Sequence, residues 1–378
     1  MNKRLTQFRR DLHQIPETAF EEVKTHEYLV DVLSGLGFKT HTYLETDVIV
    51  YIDKNADQTI AFRSDIDALP QDELTGVSFK SKHPGCMHAC GHDGHMAMLL
   101  EFAHYLKENL DELMVNVLLI FQPAEEKIGG AKKLIDAGLF KDYPVDHIFG
   151  IHVYPYLDEG IIASRSGFLM AQANELTISF KGKGSHGAMP DLGIDANHMA
   201  SLFLSQVYEK IEILNQSTRV ICTFGKMQGG TVKNIIAENA HLEGTMRTFK
   251  EEDYHAVESI LLETKKELES QFNGTIDVHI HDGYLPVYND ETTYEMFKEA
   301  LGDHPYQELP EALLIGEDFS FYQHEVPGVF LFIGTKNDAK GYTHSLHSSY
   351  FNLDEAALQT GVDAYIKLIH YFQKRSRH

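Results

Sequence analysis

The chain has 378 residues, of which 43% are hydrophobic and 24% charged, and it carries a formal net charge of −23. That length exceeds what one core usually supports and favours two domains, and the composition is that of a soluble globular protein. The negative balance argues against nucleic acid or an anionic membrane as a partner, because phosphate binding needs a basic surface.

The basic start, MNKRLTQFRRDLHQ, is not followed by an apolar run, so no signal peptide is expected, and no apolar stretch is long enough to span a bilayer. Three cysteines are too few for a disulfide framework and fit a reducing, cytoplasmic setting. Residues 5–12 and 21–33 read as helices; in the second, Val23, Leu29, Val30 and Leu33 recur at helical spacing until Gly35 and Gly37 stop it. Strands are expected at 38–43 and 48–52. A short apolar run at 59–62 then leads into Arg63-Ser-Asp-Ile-Asp-Ala-Leu-Pro70, leaving Asp65 and Asp67 just past a strand's carboxyl end. In open α/β sheets that edge is where ligands bind.

The densest stretch of chemistry is 87–95, Met-His-Ala-Cys-Gly-His-Asp-Gly-His. Thiolate and imidazole two residues apart suit a zinc-like or manganese-like divalent ion. Three readings compete. A structural zinc knot would need a second close pair, for which Cys86 is the one candidate. A metal-free polar loop is the second. A catalytic centre completed by distant residues is the third, and the rest of the chain favours it. Met96, Leu99, Leu100, Ala103 and Leu106 form an amphipathic helix, so Cys90 and His92 stand at its N-terminus, where the helix dipole favours a Cys90 thiolate. Asp93 reads as a cap or as an orienting group.

Residues 115–121, VNVLLIF, suit a strand buried on both faces of a parallel sheet. They end in Gln122-Pro-Ala-Glu-Glu126, and Gly129-Gly130 opens a helix at 131–137. A strand at 147–151 ends at His152, and one at 329–333 is followed by a loop carrying His344 and His347. The middle has another texture. Strands at 175–181, 219–226, 241–249 and 275–281 and helices at 196–214 and 251–272 follow the order βαββαβ, the ferredoxin-like plan. The expected architecture is therefore α/β. A mostly parallel-sheet catalytic domain (1–172 and 287–378) is interrupted by an inserted ferredoxin-like domain (173–286). A short basic stretch, 374–377, ends the chain.

Four strand ends thus deliver polar groups to one edge. Cys90, His92, Glu126, His152 and His347 are five ligands, more than one tetrahedral catalytic ion with an open position uses, which points to two divalent ions, zinc or manganese. Cys90 is the best bridge between ions roughly 3.5–4 Å apart. Most Glu-Glu pairs are solvated turns, but the apolar strand and Pro123 before this one favour function. Glu126 would bind metal and Glu125 would act as general base. Asp67 would orient a histidine ligand, and Asp65 reads equally well as a plain structural aspartate.

The motifs RRDLHQIPE (9–17), RSDIDALP (63–70), MHACGHDGH (87–95), FQPAEE (121–126), GIHVYP (150–155), KGKGSHGAMP (181–190), NIIAENAHLEGTMRTF (234–249), GEDFSFY (316–322) and LHSSYF (346–351) run the length of the chain. Together they resemble the metal-dependent amidohydrolases of N-acyl amino acids. That branch holds hippurate hydrolases, indole-acetyl-amino-acid hydrolases and N-acetyldiaminopimelate deacetylases, within a wider family of aminoacylases and metallo-carboxypeptidases. The wider family often has His-x-Asp in place of Asp65-Ile-Asp67 and an aspartate in place of Cys90; both departures match the hippurate-hydrolase branch. The resemblance implies the same five ligands for two ions, Glu125 as base, and a homodimer made through the inserted domain. It further implies that His186 reaches the partner's site to stabilise the oxyanion, and that Asn234 and Arg247 hold the substrate's carbonyl and carboxylate. An arginine fork suits a carboxylate. The plainer readings are a cross-strand ion pair for Arg247 and an exposed loop residue for His186. Glu317-Asp318 falls in a segment placed beside the active site, without an assigned role. The expected activity is hydrolysis of N-acyl amino acids of the N-acetyldiaminopimelate or hippurate type. A dipeptidase or carboxypeptidase of the same chemistry is the alternative, and a non-catalytic protein with one closed, four-ligand ion is a third.

Overall fold

The computed structural model describes residues 2–127 and 129–375; of the basic end, Ser376 and Arg377 lie outside them. The chain divides into two units, Met1–Leu169 with Tyr288–Glu311 and Asp318–His378, and Met170–Val287 with Ala312–Glu317.

Among the described residues, the first unit holds an eight-stranded sheet. Its spatial order is Thr40–His41, Val48–Ile52, Asn116–Gln122, Thr59–Asp65, His147–Asp158, Gly328–Lys336, Ile162–Ser164 and Tyr306–Glu308. The four strands from Asn116–Gln122 to Gly328–Lys336 run parallel. Two of them, Thr59–Asp65 and Asn116–Gln122, are buried at every residue, as expected for strands covered on both faces. The helix His92–Glu108 crosses from one to the other, and the C-terminal helix Leu358–Arg375 joins it over the sheet. Phe62 of the sheet meets Phe102 and Tyr365 of these helices with ring centroids 4.8 and 5.2 Å apart. Burying each such ring contributes roughly 1.5–3 kcal/mol.

The second unit is a four-stranded antiparallel sheet in the order Thr275–Ile280, Gln172–Lys181, Asn239–Thr248 and Ile221–Gly229, joined by helices Ala196–Leu214 and Glu251–Phe272. This is the ferredoxin-like βαββαβ arrangement. Met199, Phe203 and Val207 recur at helical spacing and pack on Phe180, and the Asp195 carboxylate caps that helix on Asn197 N–H at 2.9 Å. Ala312–Glu317 belongs to the same unit, with Ala171 N–H donating to Leu313 O at 3.0 Å. Among the described residues no helix is long and apolar enough to cross a membrane.

Three expectations change. The strand expected at 38–43 shrinks to Thr40–His41, because the amides of Tyr43 and Leu44 turn back onto the Asp47 carboxylate. The strand expected to end at His152 runs on to Asp158, so His152 sits in mid-strand, paired with Phe332. Asp93 is not the helix cap. Gly91 takes that place with φ +86°, and Asp93 instead anchors the N-terminal helix Lys3–His13 through Arg9 and His13.

Candidate metal centre

At the carboxyl edge of the parallel strands, two groups of donor atoms share one residue. Cys90, His92 and His152 form the first; Cys90, Glu126 and His347 form the second. In each, the ligand atoms lie within 4.8 Å of one another. A third group joins His92 with Glu125 and Glu126. Cys86, the one partner available for a structural zinc knot, joins none of these groups.

Local backbone sets the aim of each donor. Cys90 precedes Gly91, whose left-handed turn passes so close to the Val153 strand that a Cβ would sit 2.5 Å from Val153 Cγ2. That turn starts the helix at His92 and points Cys90 and His92 the same way. His92 Nδ1–H donates to the Asp67 carbonyl at 2.9 Å, with the Asp67 carboxylate 3.3 Å away. His92 Nε2 is left facing Glu126 Oε1 at 3.9 Å. The other Asp67 oxygen accepts from Glu126 N–H at 2.9 Å, so one aspartate touches two of the donor residues. His152 gives its Nδ1–H to the Val153 carbonyl at 2.6 Å, which leaves Nε2 open 3.4 Å from Cys90 Sγ. His347 lies on an exposed loop, itself at φ +62°, and its Nε2 stands 3.2 Å from Glu126 Oε1. The loop is tied to the turn that carries Cys90 by His347 N–H donating to Ala89 O at 2.9 Å.

His95 also borders the group but offers no lone pair. Its Nδ1–H donates to Asp65 at 2.7 Å and its Nε2 accepts from Val153 N–H at 2.9 Å. Asp65 in turn takes the Arg63 guanidinium at 2.8 Å, and the same guanidinium reaches Asp318 at 2.7 Å and Gln122 at 2.8 Å. Arg63, Asp65 and Asp318 are thus a buried scaffold beneath the donors. The strand-interior position of Arg63 is the signal for it: a charge in an otherwise apolar run must be paired. The partners lie up to 255 positions away, which no local pattern foretells.

The residues fit divalent cations. Nε2 of His92 is fully buried without a hydrogen-bond partner, and Asp67 Oδ1 has none beyond its 3.3 Å approach to His92 Nδ1. A cation beside His92 Nε2, Glu126 and the thiol would satisfy the first of these. The side chains' own field is equally telling. Burial opposes charge on His92, yet the carboxylates of Asp65, Asp67 and Glu126 outweigh it and raise its pKa to about 10. Burial pushes the Cys90 thiol well above its ordinary value, and the carboxylates of Glu126, Glu125 and Asp65 add to this. The helix dipole expected to favour the thiolate is overridden. His152 is held well below the usual histidine range by burial and by nearby His95, so its lone pair is free for a ligand. Burial works to raise Glu126, but the hydrogen bond from His347 and the charge on His92 win and lower it.

Cations entering this set must therefore displace a proton from His92 and another from Cys90. His92 is raised to about 10 in the metal-free fold, so metal affinity is expected to climb with pH until about that value. The slope approaches about tenfold per pH unit for each proton displaced. Calorimetric titration of metal-stripped protein with manganese, in buffers of differing ionisation enthalpy, should show net proton release; uptake without release would contradict the assignment.

His186, Asn234 and Arg247 lie in the second unit. His186 is on an exposed loop, and its Nδ1 accepts from Ala188 N–H at 3.1 Å. Asn234 is beside it, its carbonyl accepting from Gly187 N–H at 2.8 Å. Arg247 is half-buried on strand Asn239–Thr248 and bonds to the Thr245 hydroxyl and to Met246 O at 2.9 Å. Burial lowers its pKa against the pull of Glu175.

Residues 61–371 match the sequence model of peptidase family M20/M25/M40. The chain is similar to an uncharacterized hydrolase of Staphylococcus haemolyticus, 38% identical over 374 residues, covering 97% of this chain and 98% of that one. Among solved structures it is similar to a protein of methicillin-resistant Staphylococcus aureus named as an aminohydrolase (TM-score 0.92, 30% identity, 98% and 96% of the two chains). It is also similar to the YXEP protein of Bacillus subtilis, described as a dinuclear metal-binding peptidase of the M20 family (TM-score 0.86, 33% identity, 98% of each chain). With a parallel-sheet unit that gathers two overlapping donor groups, a ferredoxin-like unit beside it in sequence, and these likenesses over almost the whole chain, the protein belongs to peptidase family M20/M25/M40 and is a metal-dependent hydrolase of that family.

Proposed function

We propose that this chain hydrolyses the amide bond of N-acyl amino acids, using two divalent ions per chain, zinc or manganese. The observation that carries the reading is the pair of donor groups sharing Cys90, with Glu125 as a further carboxylate in contact range of His92 and Glu126. Cys90, His92 and His152 would hold one ion; Cys90, Glu126 and His347 the other. Bound divalent ions lower the pKa of water and polarise an acyl carbonyl. Glu125, buried at 7% exposure, takes a proton from the attacking water on a carboxylate oxygen and delivers it to the leaving amide nitrogen. Asp67 keeps the His92 ring turned with Nε2 outward and holds the Glu126 backbone.

In this reading the inserted unit, residues 173–286, is the lid and dimerisation domain of a homodimer. Its His186 would reach the partner's site to stabilise the oxyanion, and its Asn234 would hold the substrate's carbonyl. Arg247, whose bonds go to a hydroxyl and a carbonyl, receives the substrate's carboxylate. The aminohydrolase name of one structural relative is compatible with hydrolysis of a carbon–nitrogen bond and names no acyl group. The peptidase description of the YXEP protein favours a second reading, a dipeptidase with the same chemistry.

One assay separates them. Metal-stripped protein reloaded with manganese is given matched pairs, an N-acetyl or N-benzoyl amino acid and the free dipeptide with the same leaving residue, N-acetyldiaminopimelate included. Amine release from the acylated member, with kcat/KM at least about tenfold above the dipeptide, is expected, a difference of roughly 1.4 kcal/mol in transition-state binding. The reverse order assigns a dipeptidase, and no release from either sinks both readings.

A further inference from the structure

Residues 13–22 supply no candidate ligand, yet they touch two of the segments that do and the segment of Asp67, which orients His92. His13 Nδ1 bonds Asp93 at 2.7 Å, next to His92. The Glu17 carbonyl accepts from Ala68 N–H at 2.8 Å, next to Asp67. One Glu22 oxygen accepts from Ala124 N–H at 3.0 Å, next to Glu125. The third contact bears most directly on the chemistry. Glu22 is fully buried, and its other oxygen accepts from the Thr46 hydroxyl at 2.8 Å. Ala124 is also fully buried, with φ +58°, a left-handed conformation that a residue with a Cβ seldom adopts unless its surroundings hold it there.

The turn is packed from the other side as well. Gly130 lies so near that a Cβ there would overlap Pro123 O at 1.8 Å, and Gly130 N–H donates to Ala124 O at 3.2 Å. The Ala124 amide is thus held by Glu22 and its carbonyl by Gly130. The φ and ψ of Ala124 fix the direction in which the chain leaves toward Glu125 and Glu126.

We propose that Glu22 is a positioning residue for the Glu125–Glu126 turn: its hydrogen bond to Ala124 N–H holds that residue left-handed and so sets where both carboxylates point. The proposal rests on the reading of Glu125 as base and Glu126 as ligand. Burial pushes the Glu22 carboxyl up to about 7 against the hydrogen bonds that favour its charge. Losing this acceptor would strand two buried donors, the Ala124 amide and the Thr46 hydroxyl.

Two substitutions separate acceptor position from charge. Glu22→Asp keeps the carboxylate but withdraws it by one methylene. Glu22→Gln keeps an acceptor oxygen in place and removes the charge. For each, kcat and KM on the best acylated substrate are measured, together with manganese stoichiometry and Kd by calorimetry on metal-stripped protein. The Gln variant should stay within about threefold of wild type in kcat and in both Kd values. The Asp variant should lose about 10²-fold in kcat with KM moved by less than about threefold, and one of its two manganese equivalents should bind at least about tenfold more weakly. Wild-type values in the Asp variant, or a Gln variant as impaired as Asp, overturn the proposal. Should Glu22→Asp fail to fold, Glu22→Gln decides alone. Wild-type kcat with both manganese equivalents is the result expected, and kcat below about a tenth of wild type overturns the proposal. Failure of the underlying reading looks different: full turnover in Glu125→Gln removes the base but leaves the manganese readout of Glu22 in force.

Discussion

Glu125→Gln is expected to lower kcat on an N-acyl amino acid by about 10²–10⁴-fold, the usual contribution of a positioned general base, while two divalent ions still bind. The amide matches the carboxylate in size, so packing around this buried position is kept. What disappears is the basic carboxylate proposed to take the water's proton. The donor set supports this separation of roles. Glu126 is drawn toward His92 at 3.9 Å and His347 at 3.2 Å, and its amide is fixed by Asp67. Its neighbour emerges from the same left-handed turn and falls within reach of His92 and Glu126, outside the two groups that share Cys90. Two adjacent carboxylates therefore stand in different surroundings, which is how one residue type can serve as ligand and as base in a single site. The matching Glu126→Gln variant should differ in kind, losing affinity for one metal equivalent as well as turnover. If Glu125→Gln turned over at the wild-type rate, the base would have to be sought elsewhere among the donors.

Much of the donor set could be read from the chain because its members follow elements with strong local signatures. Cys90 and His92 open an amphipathic helix, and Glu125-Glu126 follow a seven-residue apolar strand. Helices 196–214 and 251–272 begin and end at the expected residues. The strands Ile162–Ser164 and Tyr306–Glu308 were not legible: three residues at a sheet margin carry no period. Long-range pairings were equally hidden. The RRDLHQIPE stretch stood out as a motif, but nothing in it says that Arg9 and His13 close on Asp93, 84 and 80 positions away, and make that residue an anchor rather than a cap. The thiol's protonation failed to follow from local structure for the same reason. A helix N-terminus is worth a fraction of a charge, whereas burial and three carboxylates contributed by distant segments act together on Cys90.

Cys90 is where a single atom change should do the most damage. It is the residue shared by the group with His92 and His152 and the group with Glu126 and His347, so Cys90→Ala is expected to weaken both metal equivalents by more than about 100-fold and to abolish turnover. His152→Ala and His347→Ala remove a donor from one group each and should each weaken one equivalent while sparing the other. Calorimetry on the three stripped variants therefore reads out connectivity as well as affinity: two sites lost in the first, one in each of the others, and a different one each time. Cys90→Asp sharpens the test. A carboxylate can bridge two ions as a thiolate does, but it is a harder ligand, so binding should partly return and manganese should gain relative to zinc. The carboxylate also loses its proton far more readily than the buried thiol, so the proton released on loading should fall by close to one. Tight retention of one metal equivalent by Cys90→Ala would mean that the two groups do not share their sulfur, and the bridged centre would have to be abandoned.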